Sequence, residues 1–180
     1  MGSDPATVPV GGTQSFTATA YDVYNNVISG VGYVWTTNVG SVSGTGVLTA
    51  QTVPGAGIVT ATNGTISDSA SVTVTVGSVH HITVAPNPVT VVVGGVRQFT
   101  ATAYDSYNNV IAGAVFVWTT YVGTVDGTGL FTARTTPGTG TVTATSGTAS
   151  GYANVEVVIG ALDHITVTPN PANVVVGGIL

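Results

Sequence analysis

The chain has 180 residues and a net charge of −5 at pH 7, with seven acidic and two basic side chains and no cysteine. Two arginines cannot form the basic surface that nucleic-acid binding needs, and the lack of cysteine excludes disulfides and thiolate chemistry. Hydrophobic residues make up 43% of the chain, yet no apolar run reaches the roughly 18 residues of a membrane span, so membrane insertion is not expected.

An internal duplication organises the chain. An offset of 83 residues aligns Asp4–Arg97 with Asn87–Leu180 without a gap, and 58 of the 94 aligned residues are identical. A repeat of this length is typical of a small domain rather than of a solenoid. We therefore expect a first domain over residues 4–79, a second domain over residues 80–162, and the opening of a third repeat over residues 163–180.

Apolar and polar residues alternate along each unit, as in strands that place one face on a core. In the first unit the alternation covers Ser15–Tyr21 and Ser71–Val76. In the second unit, strands are predicted at His81–Ala85, Val89–Val93, Arg97–Ala103, Val115–Thr120, Gly129–Ala133, Gly140–Ser146 and Tyr152–Val158. Turn residues separate them, including a predicted break at Gly123–Gly127. The pattern predicts an all-β chain of two tandem antiparallel Greek-key β-sandwiches of immunoglobulin type.

Aromatic residues at matching positions indicate the core of each sandwich. Phe16 and Trp35 in the first unit correspond to Phe99 and Trp118 in the second. Trp118 shares one face of its predicted strand with Phe116, because side chains two residues apart in a strand point the same way. We expect a buried tryptophan at the centre of each sandwich.

Several segments of the second unit follow a familiar domain pattern. They are His81–Pro88, Val91–Gly95, Gln98–Asp105, Gly127–Ala133 and Gly140–Thr145. The pattern resembles the bacterial-type immunoglobulin-like (Big) domains that are strung along surface proteins such as invasins, intimins and S-layer-associated proteins. The resemblance covers nearly the whole chain. It implies a β-sandwich of an extracellular or cell-surface protein, a spacer role, and no shared catalytic site.

The first unit lacks a counterpart of the strand His81–Ala85, so we expect its sandwich to be one strand short. Residues 163–180 contain a copy of that strand. Its strand-donor residues are His164, Ile165, Val167, Val174 and Val176. An unpaired sheet edge and a spare strand favour strand addition. We hypothesise that the tail of one molecule completes the first domain of another, head to tail; the alternative is a loosely packed tail.

Asp22 and Asp105 occupy the same place in the repeated motif Tyr-Asp-x-Tyr-Asn-Asn. Oxygen-rich loops of this kind can bind calcium, which makes both aspartates weak calcium candidates. One carboxylate per loop is few, because calcium takes six to eight oxygen ligands. The favoured interpretation is a turn that the aspartate caps by accepting backbone N–H groups. We therefore expect no metal and no cofactor.

The remaining polar features are better explained by structure than by chemistry. His81 and its equivalent His164 stand where one repeat follows another, which favours packing at the junction over a metal or catalytic role. Pairs such as Thr60 and Thr62 fit the solvent face of a twisted strand better than a flat ice-binding array. Asn63 opens a single glycosylation sequon, used only in a host that glycosylates.

Together these features favour a non-enzymatic structural spacer or stalk repeat of an extracellular protein. Its expected partners are neighbouring repeats of the same chain or other copies, joined head to tail. The alternative is an adhesive module or a carbohydrate-binding accessory module that takes a surface glycan or a protein ligand. Exposed aromatic residues would serve such binding, and the candidates are Tyr24, Tyr107, Tyr121 and Tyr152.

Overall fold

The computed structural model describes residues 6–168 and residue 176, and this part of the chain contains strands and no helix. The strands of the first unit are β1 (Ala6–Pro9), β2 (Thr13–Ser15), β3 (Ala20–Tyr21), β4 (Val27–Ile28), β5 (Val34–Thr37), β6 (Gly40–Val42), β7 (Val47–Ala50), β8 (Gly55–Asn63) and β9 (Ile66–Thr75). Those of the second unit are β10 (His81–Ala85), β11 (Val89–Val92), β12 (Val96–Gln98), β13 (Thr100–Tyr104), β14 (Val117–Thr120), β15 (Gly123–Val125), β16 (Leu130–Ala133), β17 (Gly138–Ser146) and β18 (Ala149–Val158). The predicted all-β class is confirmed.

The two units share one sheet topology. In the second unit one sheet has the order β11-β18-β17-β14, another has the order β12-β16-β15, and β10 pairs with β13. The first unit repeats the two larger sheets as β1-β9-β8-β5 and β2-β7-β6, and a short β3-β4 pair completes it. The offset of 83 residues therefore relates two structures as well as two sequences.

One pair in each unit is parallel. β11 runs parallel to β18, with Val89 opposite Val155, and β1 runs parallel to β9, with Ala6 opposite Val72. The prediction of an antiparallel sandwich does not hold at this pair, and the other strand pairs are antiparallel. In each unit the strand that pairs with the last strand, β1 or β11, runs in the same direction as that last strand, so the chain enters at one end of the unit and leaves at the other. Units connected in this way follow one another end to end.

Phenylalanine rather than tryptophan occupies the centre of the second core. Phe99 and Phe131 are fully buried, and their rings meet edge to face with 5.9 Å between centroids. Trp118 is only half-buried, because it lies on β14, one of the two outer strands of its sheet. The expectation of a central tryptophan is corrected accordingly. Trp35 is half-buried in the first unit in the same way.

The first unit is less completely covered than the second. In the second unit β10 pairs with β13 and adds Ile82 and Val84 to the core. In the described part of the first unit, residues 16–19 carry no strand, and Phe16 is half-buried where its equivalent Phe99 is fully buried. The strand predicted over Ser15–Tyr21 is therefore wrong in its middle, because that segment has no neighbouring strand to pair with.

The structure differs from the sequence predictions at two further places. Gly123–Val125 forms β15, although its glycine indicated a break. A Cβ at Gly123 would overlap the carbonyl oxygen of Thr132, so glycine is what lets the two strands approach here. At the other end, His164, Ile165 and Val167 are exposed and form no strand, because nothing described lies beside them. Val176 is also exposed, and Val174 lies outside the described residues.

Candidate functional site

The polar side chains of the described residues do not cluster in the manner of a metal site. Within residues 6–168 and at residue 176, no three His, Asp or Glu side chains lie close enough together to hold an ion. The same residues include no helix with the length and apolar character of a membrane span. The ion pair they contain joins Asp163 to His164 at 3.1 Å, and both side chains are exposed. The most highly organised polar site is instead the junction between the two units.

The junction is built on a turn that both units share. In the first unit, Asp22 Oδ1 accepts hydrogen bonds from the backbone N–H groups of Tyr24 (2.8 Å) and Asn26 (2.9 Å). Asp22 Oδ2 accepts one from the side-chain amide of Asn26 at 2.8 Å. These hydrogen bonds lower the pKa of Asp22, and the Asn26 side chain has the largest effect. The carboxylate oxygens face N–H donors, which is the geometry of a capped turn rather than of a calcium loop.

The equivalent turn at Asp105 has an additional partner from the other unit. Asp105 Oδ1 accepts the backbone N–H groups of Tyr107 and Asn109, both at 2.9 Å. Asp105 Oδ2 accepts the backbone N–H of Gly77 at 3.0 Å. Asp105 has no exposed surface. Burial by itself would raise the pKa of Asp105, but the hydrogen bonds from Gly77, Asn109 and Tyr107 outweigh it and lower the pKa to about 2.

Two more contacts cross the junction. The side-chain amide of Asn109 donates to the backbone carbonyl of Thr52 at 2.8 Å. The ring of Tyr107 lies against Gly11, where a Cβ atom would overlap it. Gly11 has a φ of 67°, which glycine adopts without strain. Asp105, Tyr107 and Asn109 thus reach three separate segments of the first unit.

The connection between the units is short and packed against the second unit. Residues 76–80 join β9 to β10. The backbone N–H of His80 donates to the carbonyl of Tyr104 at 2.7 Å. The ring of His81 stacks on Tyr104 with 4.9 Å between centroids and 8° between planes. His81 therefore packs at the junction, while its equivalent His164 is exposed.

The aromatic residues considered for ligand binding lie apart from one another along the fold. Tyr24 is in the Asp22 turn, Tyr107 is at the junction, Tyr121 follows β14, and Tyr152 is on β18. All are exposed, but Tyr107 also packs on the first unit. The sequence motif predicted the Asp105 turn but missed its partners, because Gly77 and Thr52 lie 28 and 57 residues from the groups they bind.

Comparison with known proteins supports this architecture. Residues 78–157 match the family model described as bacterial Ig-like domain (group 2). The resemblance noted in the sequence is thereby confirmed for the second unit. The chain is also similar to ice-binding protein 1 of Shewanella frigidimarina, with 35% identity over 123 residues. That match covers 66% of this chain and 14% of the relative, so the chain spans only a small part of the relative's length.

Solved structures include similar folds. The Escherichia coli adhesin FdeC matches with a TM-score of 0.52 and 19% identity, over 89% of this chain and 63% of that chain. Surface layer protein SbsC, domains 1–6, matches with a TM-score of 0.45 and 26% identity, over 84% of this chain and 24% of that chain. The adhesin match shows that this chain shares its fold with FdeC.

Proposed function

We propose that this chain, whose second unit is a bacterial Ig-like domain (group 2), is a structural spacer of an extracellular protein and carries out no catalysis. The chain is a cell-surface immunoglobulin-like repeat module. One observation above all supports a role as a spacer. The backbone N–H of Gly77, between the two units, donates to the buried carboxylate of Asp105 in the second unit.

A spacer has to hold its ends apart, which requires domains in line and a junction that resists bending. The parallel pairing of β1 with β9 and of β11 with β18 places the entry and the exit of each unit at opposite ends. The junction is restrained in two ways: Asp105 holds the short connection of residues 76–80 through Gly77, and Asn109 binds the carbonyl of Thr52 in the first unit. A short, hydrogen-bonded connection permits far less bending than a free linker does.

The spacer role is testable by replacing Asp105. Asp105→Ala removes the acceptor for Gly77 and should broaden the distribution of angles between the units, which small-angle X-ray scattering detects as a shorter average maximum dimension. Asp126→Ala is a matched control, because Asp126 caps a turn through the backbone N–H groups of Thr128 and Leu130 and makes no hydrogen bond to the described residues of the first unit. Equal scattering curves for wild type and Asp105→Ala would contradict the proposal.

The module can also form head-to-tail chains by strand exchange, in which the tail strand of one molecule pairs with the first unit of another. In the second unit β10 covers β13, with His81 opposite Tyr104 and Ala85 opposite Thr100. The offset of 83 residues makes residues 164–168 the equivalent of β10, and residues 17–21 the equivalent of β13. Residues 164–168 are exposed, and residues 17–19 form no strand. Pairing between two copies would satisfy backbone groups on both segments.

Removal of residues 163–180 tests this exchange. Sedimentation velocity across a concentration series should show self-association of the full chain and a loss of it after truncation. Identical sedimentation of the two proteins at every concentration would rule the exchange out.

A further inference from the structure

The internal junction joins the Asp105 turn of the second unit to three positions of the first unit. The first unit has an equivalent of that turn, and the second unit has equivalents of those three positions. We propose that the Asp22 turn of one molecule docks onto the exit end of the second unit in another copy, reproducing the polar contacts of the internal junction. The inference rests on the head-to-tail association proposed above, and it names the residues that recognise the partner. Strand exchange and this docking can be tested separately.

The equivalent turn in the first unit is the head surface, formed by Asp22, Tyr24 and Asn26. These residues are identical in type to the three that hold the internal junction, and they form the same capped turn. The head surface is more accessible: Tyr24 is 82% exposed where Tyr107 is 45% exposed. Asp105 is fully buried whereas Asp22 is only partly buried. The difference reflects the first unit, which packs against the Asp105 turn.

The equivalent positions in the second unit are the base surface, formed by Gly94, Thr135 and Gly160. These residues correspond to the three positions of the first unit that the Asp105 turn contacts, and each residue type is unchanged. The backbone is the same as well, since φ is 70° at Gly94 and 67° at Gly11. Nothing lies within 4 Å of the Cβ position of Gly94, so the space that a tyrosine ring fills over Gly11 is open here. Thr135 and Gly160 are exposed.

The chemistry of the two surfaces is complementary. By analogy with the internal junction, the backbone N–H of Gly160 would donate to the carboxylate of Asp22, and the amide of Asn26 would donate to the carbonyl of Thr135. Hydrogen bonds to a carboxylate are stronger than those between neutral groups. The ring of Tyr24 would cover Gly94, a contact that no larger residue at that position would allow.

The head surface and the base surface also carry opposite charges. Arg134 stands where the first unit has Gln51, next to Thr135 in the chain. Its guanidinium group donates to the carbonyls of Thr136 and Pro137, which places a positive charge beside the base surface. The head surface carries the negative charge of Asp22. Opposite charges on two surfaces that meet accelerate their encounter, and salt screens the effect.

Two variants with complementary defects test the docking. Tyr24→Ala damages the head surface and leaves the base surface intact, and Tyr24 is exposed enough for the fold to tolerate the change. Gly160→Pro removes the N–H donor of the base surface and leaves the head surface intact. Each variant alone should associate at least about tenfold more weakly than the wild type in sedimentation velocity.

An equimolar mixture of the two variants should recover pairing, because each protein still has one intact surface. Association in the mixture should end at dimers, because the surfaces left free in each dimer are the damaged ones. Tyr152→Ala, on the side of the second unit, is the control and should associate as the wild type does.

The outcomes separate docking from strand exchange. Loss of association on truncation at residue 163, together with normal association of Tyr24→Ala, overturns the docking and leaves strand exchange standing. Weakened association of Tyr24→Ala with normal association of the truncated chain does the reverse. A mixture that pairs no better than its components, or a wild type that is monomeric throughout the concentration series, overturns the docking.

Discussion

The backbone N–H of Gly77 and the carboxylate of Asp105 meet at 3.0 Å across the boundary between two repeats, although 28 residues separate them in the chain. The carboxylate already accepts the N–H groups of its own turn, so a structural element within one domain also serves as the attachment point for its neighbour. Asp22 forms the same turn and has no such neighbour among the described residues. One motif therefore has two states in a single molecule, docked and accessible.

Acid should loosen the junction. Hydrogen bonding lowers the pKa of Asp105 from 3.8 to about 2 in the folded chain, so the folded state favours the ionised form. A group whose folded pKa is lowered contributes its stability above the unfolded pKa and loses it as the pH falls through the folded pKa. We expect the distribution of angles between the units to be constant above about pH 4 and to broaden towards pH 2. Small-angle X-ray scattering across a pH series measures this change.

The variant Asp105→Asn isolates that effect. Its amide can still accept the N–H groups of Tyr107 and Asn109 through Oδ1, but Nδ2 cannot accept from Gly77. The junction of this variant should be loose at neutral pH and should change little between pH 4 and pH 2. A pH response as large as that of the wild type would assign the acid sensitivity to other groups.

The two cores should respond differently to loss of an aromatic ring. Phe99→Ala removes a fully buried ring and should cost about 3–5 kcal/mol of unfolding free energy. Phe16→Ala at the equivalent position should cost less, because Phe16 is half-buried. Trp118→Ala should also cost less than Phe99→Ala, for the same reason. Urea denaturation of the three variants measures the order, and a larger loss for Phe16→Ala than for Phe99→Ala would contradict the described difference in coverage.

Glycine at position 123 should be required for pairing of β15 with β16. A Cβ there would overlap the carbonyl oxygen of Thr132, so Gly123→Ala should lower the unfolding free energy by about 1–3 kcal/mol. Gly127→Ala is the control, because nothing lies within 4 Å of its Cβ position. Thermal or urea unfolding compares the two. Equal stability of both variants would mean that the strands can separate at this point without cost.

A peptide should be able to add a strand beside residues 17–21 of the first unit. A synthetic peptide with the sequence of residues 163–168 is expected to pair with residues 17–21 and shift the NMR signals of that segment. The same peptide with proline in place of Thr166 lacks a backbone donor and should bind more weakly. If neither peptide shifts these signals, the segment does not accept a strand.

Much of the fold followed from the sequence, and the exceptions have physical causes. Alternation predicted β10 and most of β18, because one face of each strand lies on the core. The break predicted from turn residues at Gly123 was wrong, because glycine allows close strand pairing there. Trp118 was misplaced because alternation identifies a face of a strand and not the position of that strand in its sheet. The Asp105 turn was predicted from its motif, but its contacts with Gly77 and Thr52 depend on how two domains meet.

The central claim is that the two repeats form one stiff unit, and residual dipolar couplings test it most directly. Amide couplings measured in a weakly aligned sample give an alignment tensor for residues 6–75 and another for residues 81–158. A stiff junction predicts two tensors with the same magnitude and a relative orientation that matches the structure. Tensors of clearly different magnitude would show that the units reorient independently, and the spacer mechanism argued from Asp105 and Gly77 would be wrong.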